Sequence, residues 1–233
     1  MKNLKTFKTF LFDLDDTIFL SEERNIGYIF KYFKSLNITL DEEDKNIVFG
    51  HSWQHIYKHI INKYKLDKGI NEVNEGILKL KFQDIVENPL IHNPGIKTFL
   101  KLLEKKKRKK AIVTGSCYKE ALFMLKSKNM HFFFFNKKYL FWRKKYLIFA
   151  AEDYKESKPS PKGFFLALKI LKSKPQETLV FEDSKSGIIG AKKAGCKVAF
   201  IKNFSNLSLS DLKGIKSYID YIFNDFKEVL ALI

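Results

Sequence analysis

Beyond Pro94-Gly95 the sequence alternates between helical and strand patterns, and this alternation constrains the fold more than any other feature. Apolar residues at helical spacing are followed repeatedly by short apolar runs. The predicted strands are residues 111–113, 178–181 and 197–201, and the predicted helices are residues 96–106, 118–128, 162–171, 186–194 and a segment near Asp225. Short strands separated by helices indicate βαβ units. We therefore predict an α/β fold in which helices sandwich a parallel sheet.

The chain before Pro94-Gly95 is organised differently. Apolar residues recur at helical spacing in three segments, which predicts helices over residues 22–36, from about residue 52, and over about residues 71–86. An all-helical stretch that follows the first strand of a sheet is typical of an insertion. We predict a core of residues 1–19 and 93–233 and an inserted helical cap of residues 20–92, which opens and closes through its two connections.

The first strand ends in a cluster of acidic residues. Phe10-Leu11-Phe12 is an apolar run that predicts a buried strand, and Asp13-Leu14-Asp15-Asp16-Thr17 follows it. Side chains alternate along a strand, so Asp13 and Asp15 are expected on one side. Such a pair is kept when a cation lies between the carboxylates or when they divide acid and nucleophile roles. The alternative is a loop of turn-forming aspartates that caps a helix.

Two further segments are suited to binding an anion. Strand 111–113 ends in Thr114-Gly115-Ser116, which offers a hydroxyl and backbone amides at a helix start. The same residues are also ordinary turn formers. Lys158 precedes Ser160, a predicted helix N-cap, and Pro161, the predicted first helical residue. The alternative for Lys158 is an exposed surface lysine.

A second acidic pair, Glu182-Asp183, ends the predicted strand 178–181. Helix capping by Asp183 or Ser184 is the alternative to a role in binding a cation. In open α/β sheets ligands bind beyond the carboxyl ends of the strands, where all these motifs fall. Two acidic pairs favour a hard divalent cation such as Mg2+. Together with anion-binding groups they indicate phosphoryl transfer, in which Asp13 accepts the phosphoryl group and Asp15 acts as acid and base.

The order of these motifs resembles the haloacid dehalogenase-like hydrolase superfamily, in the branch of phosphoglycolate phosphatases, sugar-phosphate phosphatases and β-phosphoglucomutases. The motifs are Asp13-Leu14-Asp15-Asp16-Thr17, Val113-Thr114-Gly115-Ser116, Lys158-Pro159-Ser160-Pro161 and Phe181-Glu182-Asp183-Ser184, with Gly187-Ile188 and Ala194-Gly195. The resemblance implies a Rossmann-like core, an inserted helical cap and dependence on Mg2+. It also implies site roles: Asp13 as nucleophile; Asp15 as acid and base; Thr114, Gly115, Ser116 and Lys158 on phosphate; and Asp13, Asp15 through its carbonyl, Glu182 and Asp183 on the metal.

The sequence departs from the family pattern in two places. Asp16 stands where glycine is commoner, and the interval between Thr114 and Lys158 is longer than usual. The excess comes from an aromatic and basic segment, residues 132–149. We consider three explanations for this segment: an extra hairpin or short helix packed on the core, a contact with a membrane surface, or a pair of compensating reading-frame slips. Asp15 argues against dehalogenation, because true dehalogenases lack the second aspartate.

Composition limits the partners and the location. The formal net charge of +17 invites a nucleic-acid interpretation, but of 43 basic residues only Arg24, Arg108 and Arg143 are arginine, the residue on which nucleic-acid surfaces depend. The positive field instead favours capture of small anions. No apolar run reaches the roughly 18 residues of a transmembrane helix. Cys117 and Cys196 are far apart and indicate buried thiols, not a disulfide framework or a metal site. We expect a cytoplasmic monomer or weak dimer.

The sequence thus predicts a Mg2+-dependent phosphatase that hydrolyses a small phosphorylated metabolite. A phosphomutase of the β-phosphoglucomutase type shares the motifs and is the first alternative; a non-catalytic binding protein on the same scaffold is the second. Gly50-His51-Ser52 resembles a cap turn that faces the active site in sugar-phosphate members, so His51 is a candidate substrate contact. An ordinary exposed histidine is the alternative, and Lys79 and Lys81 are candidates of lower rank.

Overall fold

The structure, a computed structural model, describes residues 4–138 and 144–233. The described residues fall into two compact units, one within the limits Met1–Leu20 and Ile91–Ile233 and the other within Ser21–Leu90. Among these described residues no helix combines the length and apolar character needed to cross a membrane. Whether the second unit acts as a cap, within the predicted limits of residues 20–92, stays a prediction.

Eight strands are found in the described residues: β1 (Thr9–Phe12), β2 (Phe19–Leu20), β3 (Ile91–His92), β4 (Lys109–Val113), β5 (Ile148–Phe149), β6 (Thr178–Glu182), β7 (Lys197–Ile201) and β8 (Tyr221–Phe223). Six of these form one sheet in the order β5-β4-β1-β6-β7-β8, and every neighbouring pair is parallel. Counted along the chain this is the order 3-2-1-4-5-6 of a Rossmann-like fold, in which the strand order reverses between β1 and β6. The predicted α/β class is confirmed, and so are the four predicted strands, at residues 10–12, 111–113, 178–181 and 197–201.

The sheet is buried on both faces, which explains its continuous apolar runs. Phe10 and Phe12 of β1 lie on one face, where both stack on Phe181 with ring centroids 6.3 and 5.1 Å apart. Leu11 points to the opposite face and joins a largely aliphatic cluster with Val180. Alternation along each strand therefore divides the core into an aromatic layer and an aliphatic layer.

Helices cover both faces of this sheet. They are α5 (Ile96–Lys105), α6 (Tyr118–Ser127), α7 (Lys162–Leu171), α8 (Lys185–Lys193), α9 (Leu209–Ile215) and α10 (Phe226–Leu230), numbered after the four helices of the second unit. Gly95, the N-cap of α5, has φ +84°, and a Cβ there would lie 2.6 Å from the backbone nitrogen of Lys227. The close approach of α10 explains why this position is glycine.

Among the described residues, the second unit contains α1 (Glu22–Ser35), α2 (Glu42–Gly50), α3 (Trp53–Lys63) and α4 (Ile70–Glu87). Their apolar faces form a separate core that includes Phe33, Ile56 and Val73. The three predicted helices correspond to α1, α3 and α4, and α2 was not predicted. A capping box between Asp41 and Asp44 begins α2.

The aromatic and basic segment 132–149 packs on the core in its described part. A 3-10 helix spans His131–Phe134, and Phe135 then forms an antiparallel bridge with Tyr146. The Phe134 side chain is fully buried, with its ring centroid 6.2 Å from that of Phe12. This agrees with the first of the three explanations, a short helix and hairpin packed on the core. Residues 139–143, which include Phe141, Trp142 and Arg143, lie outside the described residues.

Candidate active site

The predicted site residues of the core meet at the carboxyl edge of the sheet. Asp13 follows β1, Thr114 follows β4, and Asp183 follows β6, and these three strands are neighbours. Because parallel strands end at the same edge, the order of the strands brings the three loops together. The acidic loops after β1 and β6 lie on either side of the point where the strand order reverses, which is where open α/β sheets bind ligands.

Asp13, Glu182 and Asp183 form a buried acidic cluster. Each side chain contributes a carboxylate oxygen, and these oxygens lie within 4.8 Å of one another. Burial raises the pKa of Asp13 well above its usual value, and the charges of Glu182 and Asp15 raise it further, against the opposing effect of Lys158. Burial also raises the pKa of Asp183, followed by the charges of Asp13 and Glu182. Three close carboxylate oxygens are a donor set that fits a hard divalent cation.

Lys158 lies within this cluster. Its ammonium group donates to Asp13 Oδ1, to Glu182 Oε1 at 2.6 Å and to the Val113 carbonyl at 3.0 Å. Burial alone would lower the pKa of Lys158, but the charges of Asp13 and Glu182 outweigh burial and raise it. The lysine is therefore charged, and the alternative of an exposed surface lysine is wrong. The predicted N-cap of the following helix is also wrong, because α7 begins at Lys162 with Pro161, and not Ser160, as its N-cap.

Asp15 lies beside the loop Thr114-Gly115-Ser116, for which phosphate binding is predicted. The Ser116 hydroxyl donates to Asp15 Oδ2 at 2.7 Å, and the Ser116 amide donates to Thr114 Oγ1 at 3.0 Å. Asp15 is half-buried, whereas Asp13 is buried. The Asp15 carbonyl accepts from the Thr17 amide at 2.6 Å. At Gly115, which is exposed, no described atom outside its two chain neighbours lies within 4 Å of where a Cβ would be, so a ligand has space to approach.

The turn after Asp15 explains the departure at Asp16. This residue has φ +50°, a left-handed conformation that glycine adopts freely and that aspartate tolerates better than most residues. The turn directs the Thr17 hydroxyl to Asp183 Oδ1 at 2.7 Å, which links the two acidic loops. Asp16 therefore supplies the backbone geometry that glycine, the commoner residue at this position in the family, would provide.

Ser184 caps the helix that follows the second acidic pair. Its hydroxyl accepts from the Gly187 amide at 3.1 Å and contacts Glu182 Oε2 at 3.1 Å. A Cβ at Gly187 would lie 2.0 Å from the Glu182 carboxyl carbon, so only glycine leaves room for this carboxylate. The capping alternative is thus confirmed for Ser184, while Asp183 belongs to the acidic cluster.

The candidate substrate contacts from the predicted cap lie in the second unit. His51 is exposed, its Nδ1 lies 3.3 Å from the Ile47 carbonyl, and its ring stacks on His55 with centroids 4.5 Å apart. Lys79 is exposed, whereas Lys81 is buried and donates to Asn25 Oδ1. A substrate contact through His51 stays a prediction.

Two residues near the site were not predicted from the sequence. Tyr154 donates from its hydroxyl to the Thr114 carbonyl at 2.5 Å, and Ser205 donates to the Asp183 carbonyl at 2.6 Å. Both lie on loops, where no periodic pattern marks a functional residue. The one sequence feature that could have identified Tyr154 is its position four residues before Lys158.

Comparison with known proteins gives the same family as the motifs. A family model described as haloacid dehalogenase-like hydrolase matches residues 10–201. A phosphorylated carbohydrates phosphatase from Thermotoga maritima is 33% identical over 106 residues, which cover 46% of this chain and 44% of that protein. The chain thus matches less than half the length of this relative. A phosphoglycolate phosphatase from Aquifex aeolicus is 26% identical over 204 residues, covering 82% of this chain and 83% of that protein.

The fold is also shared with a solved structure. The crystal structure of a putative β-phosphoglucomutase from Thermotoga maritima matches with a TM-score of 0.71 and 20% identity, covering 97% of this chain and 99% of that one. The family match includes every motif at the carboxyl edge of the sheet, from Asp13 to Asp183. The chain belongs to the haloacid dehalogenase-like hydrolases.

Proposed function

We propose that this protein is a Mg2+-dependent phosphatase that hydrolyses a small phosphorylated metabolite through an aspartyl-phosphate at Asp13. One observation carries the proposal: Asp13 contacts the Lys158 ammonium group within a buried acidic cluster at the reversal point of the sheet. The relatives named above act, by their names, on phosphorylated carbohydrates and phosphoglycolate. We therefore propose a phosphorylated sugar or a similarly small phosphate ester as the substrate.

The first half of the reaction transfers the phosphoryl group to the protein. A carboxylate oxygen of Asp13 attacks phosphorus, and the bond between phosphorus and the ester oxygen breaks with its electron pair on that oxygen. Asp15, in its protonated form, gives its proton to this oxygen so that an alcohol leaves. The Ser116 hydroxyl, 2.7 Å from Asp15 Oδ2, fixes the orientation of the acid.

The second half releases inorganic phosphate. Asp15, now a carboxylate, takes a proton from a water molecule whose oxygen attacks phosphorus, and the bond from phosphorus to Asp13 breaks. Lys158 and the loop Thr114-Gly115-Ser116 hold the phosphoryl oxygens through both halves. The positive charge of Lys158 is maintained by its buried acidic neighbours, so it is available at neutral pH.

The proposed metal ligands are Asp13, Glu182, Asp183 and the Asp15 carbonyl. The described carboxylates of this set outnumber the Lys158 charge, which fits a site that accepts a further cation. When bound, Mg2+ supplies positive charge that offsets the carboxylates and the phosphoryl oxygens. A cytoplasmic location, a monomeric or weakly dimeric state, and selection of substrate by the second unit stay predictions.

A phosphate-release assay across phosphorylated metabolites, with Mg2+, tests the proposal. Asp13→Asn removes the nucleophile and is expected to lower turnover at least about 1,000-fold. Chelation of the metal is expected to abolish turnover. Asp67→Asn is the matched control, because Asp67 is an exposed aspartate of the second unit, and its turnover is expected to equal that of the wild type.

The outcomes separate the proposal from its alternatives. Unchanged hydrolysis by Asp13→Asn, or in a chelator, would refute the mechanism. Conversion of β-glucose 1-phosphate to glucose 6-phosphate in place of phosphate release would identify a phosphomutase. No turnover of any ester would favour the non-catalytic binding protein, and activity confined to phosphorylated nucleic-acid ends would replace the metabolite substrate.

A further inference from the structure

The loop that carries Lys158, residues 149–158, is hydrogen-bonded at several points to the loop Thr114-Gly115-Ser116. The Thr114 amide donates to the Phe149 carbonyl at 3.0 Å, and the Ala151 amide donates to the Ser116 carbonyl at 3.1 Å. These backbone bonds join the start of residues 149–158 to both ends of Thr114-Gly115-Ser116. The two predicted phosphate-binding elements, after β4 and before α7, are therefore parts of one connected structure.

Tyr154 makes the side-chain connection between these elements. Its hydroxyl donates to the Thr114 carbonyl at 2.5 Å. Burial raises the pKa of Tyr154 to about 12, so the hydroxyl keeps its proton at neutral pH and remains a donor. The ring packs against the first turn of α7, where a Cβ at Gly163 would lie 2.9 Å from it. The glycine thus leaves space for the tyrosine.

Lys158 repeats the same contact one residue earlier along β4. Its ammonium group donates to the Val113 carbonyl at 3.0 Å, next to the Thr114 carbonyl that Tyr154 holds. Two successive carbonyls at the end of β4 therefore accept hydrogen bonds from one loop. The separation between Thr114 and Lys158 depends on both hydrogen bonds. Of the two donors, Lys158 also contacts the acidic cluster, whereas the Tyr154 hydroxyl donates to the Thr114 carbonyl.

We infer that Tyr154 is a positioning residue for phosphate binding: its hydroxyl sets Thr114 relative to Lys158, the two groups between which a phosphoryl group is held. The inference rests on the proposed function. It assigns to Tyr154 no contact with the reacting atoms. Its effect is expected in the affinity for phosphate and phosphate esters, because Thr114 and Lys158 are proposed to hold the phosphoryl oxygens equally in the substrate complex and in the transition state.

Tyr154→Phe tests this by removing the hydroxyl and keeping the ring. We expect KM for a phosphate ester, and the Kd of inorganic phosphate measured by calorimetry in Mg2+, to rise about 3- to 10-fold, the effect of one lost hydrogen bond. We expect kcat to stay within about 3-fold of the wild type. Tyr221→Phe, which alters a half-buried tyrosine on the edge strand β8, is the matched control and is expected to change neither constant.

The two proposals fail in different ways. A wild-type protein that releases phosphate from no ester contradicts the proposed phosphatase, while the calorimetric comparison still tests Tyr154. Equal KM and equal Kd for wild type and Tyr154→Phe would overturn the positioning role. A fall in melting temperature together with an equal loss of kcat in Tyr154→Phe would also overturn it, since the hydroxyl would then serve the fold alone.

Discussion

Buried carboxylates occur in both units, and their surroundings differ. In the second unit Asp44 is fully buried and accepts hydrogen bonds from the Asp41 amide, the Lys63 ammonium group and the Tyr64 hydroxyl, with His59 Nε2 at 2.9 Å. At the carboxyl edge of the sheet, three carboxylates lie together and two of them share the Lys158 ammonium group.

The pKa values follow this difference. Burial would raise the pKa of Asp44, but hydrogen bonds from Tyr64, Lys63 and His59 outweigh burial and lower it. Burial raises the pKa of Asp13 and Asp183, and neighbouring carboxylates add to this effect. One buried carboxylate thus accepts hydrogen bonds from several donors, while the three carboxylates of the acidic cluster outnumber the single positive charge of Lys158. The arrangement around Asp44 stabilises the fold, whereas the acidic cluster is suited to binding a cation.

The largest expected effect comes from removing a charge from the acidic cluster. Asp183→Asn should lower the proposed phosphatase activity about 100-fold or more, because a proposed metal ligand becomes neutral. In a chelator the same substitution should raise the free energy of unfolding by about 1 kcal/mol, because one of three repelling carboxylates is removed. Phosphate release and urea unfolding in a chelator measure the two effects. If Asp183→Asn proved less active and also less stable in the chelator, the expected difference between the acidic cluster and Asp44 would be wrong.

The opposite sign is expected for the buried carboxylate of the second unit. Asp44→Asn should lower the free energy of unfolding by about 2 kcal/mol, because charge-assisted hydrogen bonds from Lys63 and Tyr64 are weakened and the capping box of α2 is altered. Urea unfolding of the full chain measures the loss, with the exposed Asp67→Asn as its control. Equal midpoints for the two variants would show that the Asp44 contacts contribute no net stability.

The two carboxylate sites also differ in how far the sequence could predict them. Asp13, Lys158 and Asp183 were predictable because each follows an apolar strand or precedes a helix, and parallel strands gather such positions at one edge. Nothing in the spacing revealed that Lys158 bridges Asp13 and Glu182, since this depends on a loop path. The side chains that contact Asp44 come from residues 15 to 20 positions away, on α3 and at its C-cap. Tertiary packing alone brings them together.

Secondary structure shows the same division. The central strands β1, β4, β6 and β7 were predicted because burial on both faces demands apolar runs. The two residues of β5 were missed because Ile148-Phe149 is short and ends a segment whose aromatic and basic residues follow no clear period. Helix α2 was missed because its apolar positions are too few for a clear period. Its capping box has aspartate where glutamate or glutamine is usual, which weakened the signal for its start.

The smallest expected effect concerns a third carboxylate, that of Asp84. It tests whether carboxylates that accept several hydrogen bonds, such as Asp44 and Asp84, both lose their contribution to stability as pH falls. Asp84, on α4, accepts hydrogen bonds from the Arg24 guanidinium and the Tyr28 hydroxyl, and the Asn88 amide donates to it at 2.9 Å. The hydrogen bond from Arg24, followed by that from Tyr28, lowers the pKa of Asp84 from 3.8 to about 2. With 31% of its side chain exposed, Asp84 is less shielded from water than Asp44.

The sign of the pH dependence follows from this lowered pKa. The folded state binds the Asp84 proton less tightly than the unfolded chain, so the contribution is fully present above about pH 4 and is lost as pH falls toward about 2. Solvent screening reduces this contribution to about 1 kcal/mol. Asp84→Asn should therefore be less stable than the wild type by about this amount at pH 6. This difference in stability should close as pH falls toward 2. The Asp44 contacts, present in both proteins, contribute the same pH dependence to each. Urea midpoints measured from pH 6 to pH 2 provide the test. A gap that stays constant across this range would show that Asp84 acts through packing and not through its charge.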